Sequence, residues 1–304
     1  MPYLSLSFDL DALDREAVED ACFESGACAV TFSDARDDAV LEPAPGEVRL
    51  WPATRVQALY EATAVTPQLP ALLAAALGLA PAQLHAQSVA DRAWEREWLK
   101  DYHALRFGQR LWVCPRHETV TAADAVVVQL DPGLAFGTGT HPSTALCLTW
   151  LDAAAARDDA AAPTTAPILR RRQVIDYGCG SGILAIAALK LGAAHAYAHD
   201  IDPQALIATR DNAGENGVLP ELTLCAEPAQ LPPRCDLLLA NILAGPLCEL
   251  APHFATRLAP GGHLLLAGLL AAQADEVTAA YAPWFDMTPA GERDGWIALA
   301  GIRR

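Results

Sequence analysis

The chain has 304 residues, a formal net charge of −16 at pH 7 and an apolar fraction of 52%. This length allows one large domain or two moderate ones, each with its own core. The acidic balance disfavours direct binding of nucleic acid, which needs a basic surface, and is compatible with a basic partner attracted by the opposite charge.

The termini, apolar runs and cysteines narrow the class of protein further. No basic segment followed by an apolar one opens the chain, so we expect no signal peptide. No apolar run is long enough to cross a membrane. The 8 cysteines are scattered without a CxxC pair. This spacing argues against a zinc site or a disulfide framework and favours a reducing, cytoplasmic location.

Residues 1–90 are predicted to form a small α+β domain of ferredoxin-like pattern, β-α-β-β-α-β. Residues 3–9 (YLSLSFD) alternate apolar and polar side chains, as a half-buried strand does. The predicted strands are residues 3–9, 27–32, 48–51 and 84–89, and the predicted helical stretches are residues 14–24, 55–62 and 70–77. The domain contains no cluster of catalytic residue types, so we expect it to serve recognition or scaffolding.

Residues 91–104 are predicted to form a helical linker. Trp94 and Trp98 lie four positions apart and would share one helical face. We expect this face to pack onto one or both domains. An aromatic cage for a methylated cation is a less favoured alternative.

Residues 105–304 are predicted to form a second domain in which strands alternate with helices. The glycine-rich loop LDPGLAFGTGTHPST precedes a helix at 145–151 and is interpreted as a lid over a ligand. Residues 153–172 have low complexity and are either a helix end or a disordered insertion, without chemistry. The remaining strands are predicted at residues 111–114, 125–130, 174–177, 195–200, 222–225, 236–240, 263–267 and 296–302. The helices are predicted at residues 182–191, 203–216, 245–258 and 271–281. This order predicts a doubly wound, mostly parallel sheet that binds its ligand beyond the carboxyl ends of the strands.

The segment VIDYGCGSG, residues 174–182, joins a predicted strand to a helix and is the predicted ligand loop. Its glycines allow a tight turn and close approach of the backbone to a ligand. Gly180-x-Gly182-x-x-Ala185 matches the dinucleotide fingerprint, so a nicotinamide enzyme is one reading. The carboxylate of Asp176 favours the other, because it would repel phosphates. S-adenosylmethionine carries a sulfonium and an ammonium and no phosphate. Cys179 also lies in the loop. We interpret it as a small residue that fills the tight turn and not as a nucleophile.

Two polar residues follow other predicted strands. Asp200 ends the second strand of the alternating region and is placed to accept hydrogen bonds from ribose hydroxyls. Asp202 is expected to cap the next helix. Asn241 ends another strand where the reacting end of the cofactor is expected, and its carbonyl can accept from an amine.

These segments together resemble the PrmA family, the bacterial methyltransferases of ribosomal protein L11. The resemblance is carried by the glycine motif, HDIDPQA, LAFGTGTHPST, ANILAGPL and the WEREW segment, and it extends over nearly the whole chain. It implies a class I, Rossmann-like methyltransferase with a mostly parallel seven-stranded sheet and S-adenosylmethionine as cofactor. It also implies a small N-terminal domain that recognises the substrate. The implied cofactor contacts are Thr144, Gly178, Asp200 and Asn241, to which the loop reasoning adds Asp176 and Gly180.

The implied reaction is methylation, up to trimethylation, of lysine and N-terminal amines of a large-subunit ribosomal protein. We expect Asn241 to be the catalytic residue, orienting the amine. Asp176 is expected to position the loop or to contact the cofactor's ammonium. His141 is a candidate general base, although a role at the helix start or in the lid is the favoured reading. We expect a cytoplasmic monomer without metal. An NAD-dependent oxidoreductase, or a methyltransferase for another basic protein or a small amine, stays open as an alternative.

Overall fold

The computed structural model describes residues 3–36, 50–63, 65–89, 103–131, 137, 139–162 and 165–304. The chain divides into two compact units, Met1–Glu97 and Trp98–Arg304. Most of the predicted helical linker, residues 91–102, lies outside the described residues. No helix in the described part of the chain is long and apolar enough to cross a membrane.

The small unit is an antiparallel sheet with two helices. Its strands are β1 (Tyr3–Asp9), β2 (Ala29–Asp34), β3 (Thr54–Glu61) and β4 (His85–Val89), and its helices are α1 (Arg15–Glu24) and α2 (Leu69–Leu77). The sheet order is β2-β3-β1-β4, and every neighbouring pair is antiparallel. Phe8, Val18, Tyr60 and Leu73 are buried in one apolar core between sheet and helices. The ferredoxin-like assignment of this unit stays a prediction.

One element of the small unit differs in type from the prediction. Residues 55–62, predicted as helical, form most of strand β3. Thr54, Val56, Ala58 and Tyr60 are buried there, and the residues between them are more exposed. This period of two belongs to a strand with one face on a core. Of the predicted strand at residues 48–51, the described positions 50 and 51 are not in a strand.

The large unit contains a seven-stranded, mostly parallel sheet, as predicted. Its strands are β8 (Gln173–Tyr177), β9 (His195–His199), β10 (Leu222–Cys225), β11 (Cys235–Asn241), β12 (Leu258–Leu270), β13 (Phe285–Arg293) and β14 (Trp296–Arg303). The order is β10-β9-β8-β11-β12-β14-β13. The first five strands are parallel to one another, and β14 is antiparallel to both of its neighbours, β12 and β13. A separate three-stranded sheet holds β5 (Leu105–Phe107), β6 (Leu111–Cys114) and β7 (Val126–Gln129). Strands β5 and β13 were not predicted.

Five helices cover the two faces of the large sheet. They are α3 (Pro142–Ala160), α4 (Ile183–Lys190), α5 (Pro203–Glu215), α6 (Ala244–Arg257) and α7 (Ala274–Tyr281). Residues of α3 and α4 belong to one apolar cluster, and residues of α6 and α7 to a second. Val174 of β8 packs in the first cluster and Ile175 in the second. Strand β8 is therefore buried on both faces, as a central parallel strand should be.

The low-complexity stretch begins as a helix rather than as an insertion. Helix α3 continues to Ala160. The carboxylate of Asp158 near its end accepts hydrogen bonds from the amides of Ile168, Leu169 and Arg170 at 2.8–2.9 Å. Ile168 and Leu169 are buried in the core. The described residues on both sides of positions 163–164 are thus part of the folded unit.

A cleft at the switch point of the large sheet

A cavity of ≈ 560 Å³ opens at the carboxyl ends of the central strands. The chain order reverses between β8 and β11, and such a reversal is where open α/β sheets bind ligands. The cavity is lined by His141, Ser143, Tyr177, Gly178, Gly180, His199, Asp200, Ile201, Asn241, Ile242, Leu243, Pro246, Leu250, Gly268 and Trp296.

The glycine loop between β8 and α4 forms one wall of the cleft. Gly178 and Gly180 line it, and both have positive φ. Gly182 lies at the start of α4, where an added Cβ would be 2.7 Å from Cγ2 of Thr209 on α5. The Thr209 hydroxyl donates to the carbonyl of Gly180 at 3.0 Å. The loop is therefore held against α5 and leaves its backbone open to the cleft.

Asp200 follows β9 and fixes its carboxylate on the same loop. Oδ2 accepts from the amide of Gly180 at 2.9 Å, and Oδ1 accepts from the amide of Asp202 at 3.0 Å. Asp200 lines the cleft. The side chain of Asp202 accepts from the amide of Gln204 at 2.9 Å and caps α5, which confirms the predicted cap. Of these two carboxylates, Asp200 lines the cleft and Asp202 does not.

Asp176 lies behind the loop and not in the cleft. It is fully buried, and Oδ2 accepts from the amide of Ala185 in α4 at 3.0 Å. The other oxygen, Oδ1, has no hydrogen-bond partner among the described residues. Burial raises the pKa of Asp176 to about 7, and the nearby charge of Asp200 raises it further. Of the two predicted roles, this placement favours positioning of the loop. The expected repulsion of phosphates loses its basis, because the carboxylate does not face the ligand.

Asn241 ends β11 and lines the cleft, as the strand-end argument predicts. Its Nδ2 donates to Oγ1 of Thr144 at 3.2 Å, while Oδ1 is buried and has no hydrogen-bond partner in the described part of the chain. Thr144 itself is fully buried and is not among the residues that line the cleft. Four of the six predicted cofactor contacts thus line the cleft, and Thr144 and Asp176 lie behind them.

His141 caps the amino end of α3 beside the cleft. Its Nδ1 accepts from the amide of Ser143 at 3.2 Å, and its ring packs edge-on against Trp296 with centroids 4.5 Å apart. Burial lowers the pKa of His141 below its usual value and so favours the neutral ring. This placement supports the helix-start reading. Most of the predicted lid, residues 132–136 and 138, lies outside the described residues. Its Gly137 accepts from the Ser181 hydroxyl at 2.6 Å.

Sequence reasoning missed several residues of the cleft. Tyr177 and His199 are the last residues of β8 and β9, so the strand-end rule could have found them. Their rings pack edge-on at 4.7 Å. Nδ1 of His199 lies 2.8 Å from the carbonyl of Cys225, and no described residue is a hydrogen-bond partner of its buried Nε2. Trp296 starts β14, more than a hundred positions after the loop, and no local pattern connects it to the site.

The thiol of Cys179 is not suited to act as a nucleophile. It is buried, and its Sγ lies 3.4 Å from the Thr209 hydroxyl. Burial raises the pKa of the thiol, and the charge of Asp176 adds to that effect. A thiol that stays protonated is a poor nucleophile. The geometry agrees with the reading of Cys179 as a small residue in a tight turn.

The lining of the cleft favours one of the two cofactors that the sequence left open. Its polar groups are the backbone of the glycine loop, the Asp200 carboxylate and the Asn241 amide, and its other walls are mainly apolar. No lysine or arginine is among its described lining residues. Within the described ranges no group of three His, Cys, Asp or Glu side chains could hold a metal ion. These residues fit a ligand that carries hydroxyls and positive charge and no phosphate.

Comparison with known proteins identifies the family that the whole chain matches. The family model described as ribosomal protein L11 methyltransferase (PrmA) matches residues 2–304. The ribosomal protein L11 methyltransferase of Pseudomonas aeruginosa (strain LESB58) is 49% identical over 305 residues, covering 100% of this chain and 99% of that protein. The protein of the same name from Sodalis glossinidius (strain morsitans) is 49% identical over 307 residues and covers 100% of both.

One solved structure adds a similarity of fold. It is the crystal structure of ribosomal protein L11 methylase from Lactobacillus delbrueckii subsp. bulgaricus, with 32% identity and a TM-score of 0.57. The match covers 67% of this chain and 100% of that chain.

Proposed function

The chain belongs to the ribosomal protein L11 methyltransferase (PrmA) family, and from this premise we propose that it methylates amines of ribosomal protein L11. It is an S-adenosylmethionine-dependent methyltransferase, which decides between the two cofactors that the sequence left open. The observation that carries the proposal is the placement of Asn241. The amide at the end of β11 has a buried oxygen without a hydrogen-bond partner among the described residues, and it lines a cleft whose glycine loop and carboxylate suit this cofactor.

Different residues of the cleft are suited to bind different parts of S-adenosylmethionine. When bound, the cofactor supplies a methyl group activated by its sulfonium. Asp200 is held by two amides so that its remaining lone pairs face the cleft, where they can accept from ribose hydroxyls. Gly178 and Gly180 give the backbone close access, and Ile201 and Leu243 offer exposed apolar surface to the adenine.

The acceptor amine must be neutral and held near the methyl group. With a reference pKa near 10.4, deprotonating a lysine at pH 7 costs about 4.6 kcal/mol. Apolar walls reduce that cost because they disfavour the ammonium form. The Asn241 oxygen accepts a hydrogen bond from the amine and so orients it. Positioning supplies most of the acceleration of such a transfer. No general base is assigned, since His141 uses its Nδ1 for the helix cap.

The small unit is proposed to recognise the substrate protein. The described residues that line the cleft all belong to the large unit. We propose lysine side chains and the N-terminal α-amine as the modified groups, up to trimethylation. The proposal includes a cytoplasmic location and a monomeric enzyme without direct contact to nucleic acid. Another basic protein or a small amine is the alternative substrate.

A methylation assay tests this function. The protein is incubated with isotopically labelled S-adenosylmethionine and unmethylated ribosomal proteins, and labelled peptides are mapped by mass spectrometry. We expect label on amines of L11, and Asn241→Ala should abolish most of it. Label on a different protein alone would support the alternative substrate. Normal methylation by the Asn241→Ala variant would contradict the role assigned to this residue.

Cofactor binding is tested separately by calorimetry. Asp200→Ala removes the carboxylate that faces the cleft and should weaken S-adenosylmethionine binding by at least about 100-fold. Asp202→Ala is the matched control, because it removes a neighbouring carboxylate that caps α5. It should lower stability by about 1 kcal/mol and leave the affinity unchanged. Equal affinities of the Asp200→Ala variant and the wild type would contradict the assignment.

A further inference from the structure

Tyr177, His199 and His253 form a cluster of rings where the cleft meets helix α6. Tyr177 and His199 end β8 and β9, and their ring centroids are 4.7 Å apart. The Tyr177 ring also lies edge-on to His253 of α6, with centroids 6.3 Å apart. Tyr177 and His199 line the cleft, and so does Leu250, which precedes His253 by one turn of α6. The cluster therefore connects a helix that lines the cleft to the ends of two central strands.

Each histidine of the cluster has a buried nitrogen that lacks a partner. His199 is 1% exposed, and its Nδ1 lies 2.8 Å from the carbonyl of Cys225. A carbonyl only accepts, so Nδ1 carries the hydrogen and Nε2 of the neutral ring is an acceptor. Nε2 of His199 and Nε2 of His253 are both buried and have no hydrogen-bond partner among the described residues. Protonation of either ring would bury a charge and leave an N–H group without an acceptor, which is more costly than an unpaired neutral nitrogen.

The positive charges near the cluster oppose a further one. Burial lowers the pKa of His253, and the charges of Arg257 and of protonated His199 lower it further. The guanidinium of Arg257 is held at 2.7–3.0 Å by the carbonyls of Pro228, Leu231 and Pro232. Carbonyl partners leave this positive charge in place. A proton on the histidines must therefore be held against the field of Arg257.

The remaining titratable groups around the cluster do little to offset such a proton. Burial raises the pKa of Tyr177 and of Cys225 on β10, so both groups stay uncharged at neutral pH. Asp200 directly follows His199, and each of its oxygens is already bonded to a backbone amide. The environment therefore favours neutral histidines.

The cofactor brings another positive charge to this site. S-adenosylmethionine carries a sulfonium into a cleft whose described lining residues include no lysine or arginine. A proton on His199 would place a like charge in the lining, and a proton on His253 would place one on the helix that lines it. We propose that Tyr177, His199 and His253 form an acid-sensitive cluster in which proton uptake by the histidines weakens the binding of the cofactor. This inference rests on the proposed function only for the ligand that occupies the cleft.

Two substitutions remove the titration and keep groups that can form hydrogen bonds. His199→Asn keeps an N–H for the Cys225 carbonyl, His253→Gln keeps an amide, and neither amide takes up a proton near neutral pH. His195→Gln is the matched control on strand β9, because Nε2 of His195 lies 2.9 Å from the Thr223 hydroxyl and His195 is not among the described residues that line the cleft. Melting temperatures show whether each variant is folded.

Calorimetry at pH 7 and pH 5.5 gives the first outcome. The S-adenosylmethionine Kd of the wild type and of His195→Gln should weaken about fivefold at the lower pH, because binding then competes with proton uptake. The Kd of the double variant His199→Asn/His253→Gln should change less than about twofold. Asp176 and His141 are present in all three proteins, so their own titration cancels in the comparison. Equal weakening in the wild type and the double variant would overturn the proposal.

Proton release on binding measures the same linkage directly. Binding enthalpies at pH 6 in buffers of different ionisation enthalpy give the number of protons released per cofactor bound. The wild type and His195→Gln should release more protons than the double variant does. Equal proton release in all three proteins would contradict the proposal.

An NMR titration needs neither a substitution nor a methyl acceptor. In the wild type, the ring signals of His199 and His253 should respond to acid at a lower pH with S-adenosylmethionine bound than without it, and the His195 signal should respond equally in both states. Midpoints that the cofactor leaves unchanged for both cluster histidines would refute the linkage. A protein that binds S-adenosylmethionine and does not methylate L11 would fail the proposed function and still show the shift, so the two failures can be told apart.

Discussion

One buried carboxylate links the stability of the large unit to pH. Asp176 is fully buried and accepts a hydrogen bond from Ala185, while its Oδ1 has no partner among the residues that the structure describes. Burial raises its pKa from 3.8 to about 7. The folded state therefore holds the proton of Asp176 more tightly than the unfolded chain does. At neutral pH the charged form of this residue opposes folding, although its hydrogen bond positions the start of α4.

The consequence is a pH dependence that Asp176→Asn should remove. A raised pKa gives a stabilisation that is complete below about pH 4 and is lost as the pH rises through about 7. The difference in unfolding free energy between wild type and variant should shift in favour of the variant by up to about 4 kcal/mol over this range. Urea unfolding at several pH values measures it. Most of the effect should persist in high salt, because burial is the largest cause of the shift and salt screens only the smaller contribution of the Asp200 charge. Parallel pH profiles of the two proteins would contradict this account.

The same residue illustrates what the sequence predicts of a site and what it does not. Asp200 and Asn241 were predicted because a polar residue at the end of a parallel strand must lie near the ligand edge of the sheet. Asp176 precedes the last residue of β8 and faces α4 instead of the cleft. Strand β8 is buried on both faces, so its sequence carries no alternation from which a side chain's direction could be predicted.

At the scale of elements, the packing of α4 against α5 depends on one glycine. Gly182 has φ 79° at the start of α4, and an added Cβ would be 2.7 Å from Cγ2 and 2.9 Å from Oγ1 of Thr209. The close approach lets Thr209 donate to the carbonyl of Gly180 in the ligand loop. A side chain at position 182 would therefore displace α5 and weaken the contact between Thr209 and the ligand loop.

Gly182→Ala should therefore destabilise the protein by more than the backbone cost alone. Gly217→Ala is the matched control, because Gly217 has φ 70° and an added Cβ there has nothing within 4 Å. We expect the control to cost about 1 kcal/mol and Gly182→Ala to cost about 2 to 4 kcal/mol in urea unfolding. Adding Thr209→Ala to Gly182→Ala should cost less than it does in the wild type. Equal losses in Gly182→Ala and Gly217→Ala would rule out the steric explanation.

Elements were predicted well where periodicity was strong and poorly at edges. The parallel strands and their helices were predicted within a few residues. Strand β13 was missed because Pro289 and Gly291 interrupt it and most of its side chains are exposed, as suits an edge strand. The stretch at residues 54–61 was misassigned in part because short segments give little evidence to separate a helix from a strand.

At the scale of the whole molecule, the negative charge is concentrated in the small unit. Residues 1–97 contain 16 acidic and 6 basic residues, a formal charge of −10 out of −16. Glu16 and Glu24 on α1 are exposed, and so is the apolar side chain of Phe23 between them. A field of this sign attracts a basic protein and raises its association rate, and the effect weakens with salt. This distribution agrees with the proposed recognition of a basic substrate by the small unit.

Charge reversal in each unit tests that proposal with equal changes in net charge. The variant Glu16→Lys/Glu24→Lys alters α1, and the control Asp211→Lys/Glu221→Lys alters two exposed acidic residues of the large unit. We expect the first to lower kcat/KM for the substrate protein about tenfold at low salt and the second to lower it less than about twofold. The S-adenosylmethionine Kd should be unchanged in both, because neither pair lines the cleft. Since salt screens such attraction, the two variants should converge on the wild type at high ionic strength. Equal losses in both variants would mean that net charge alone attracts the substrate, and the small unit would then lose its assigned role in recognition.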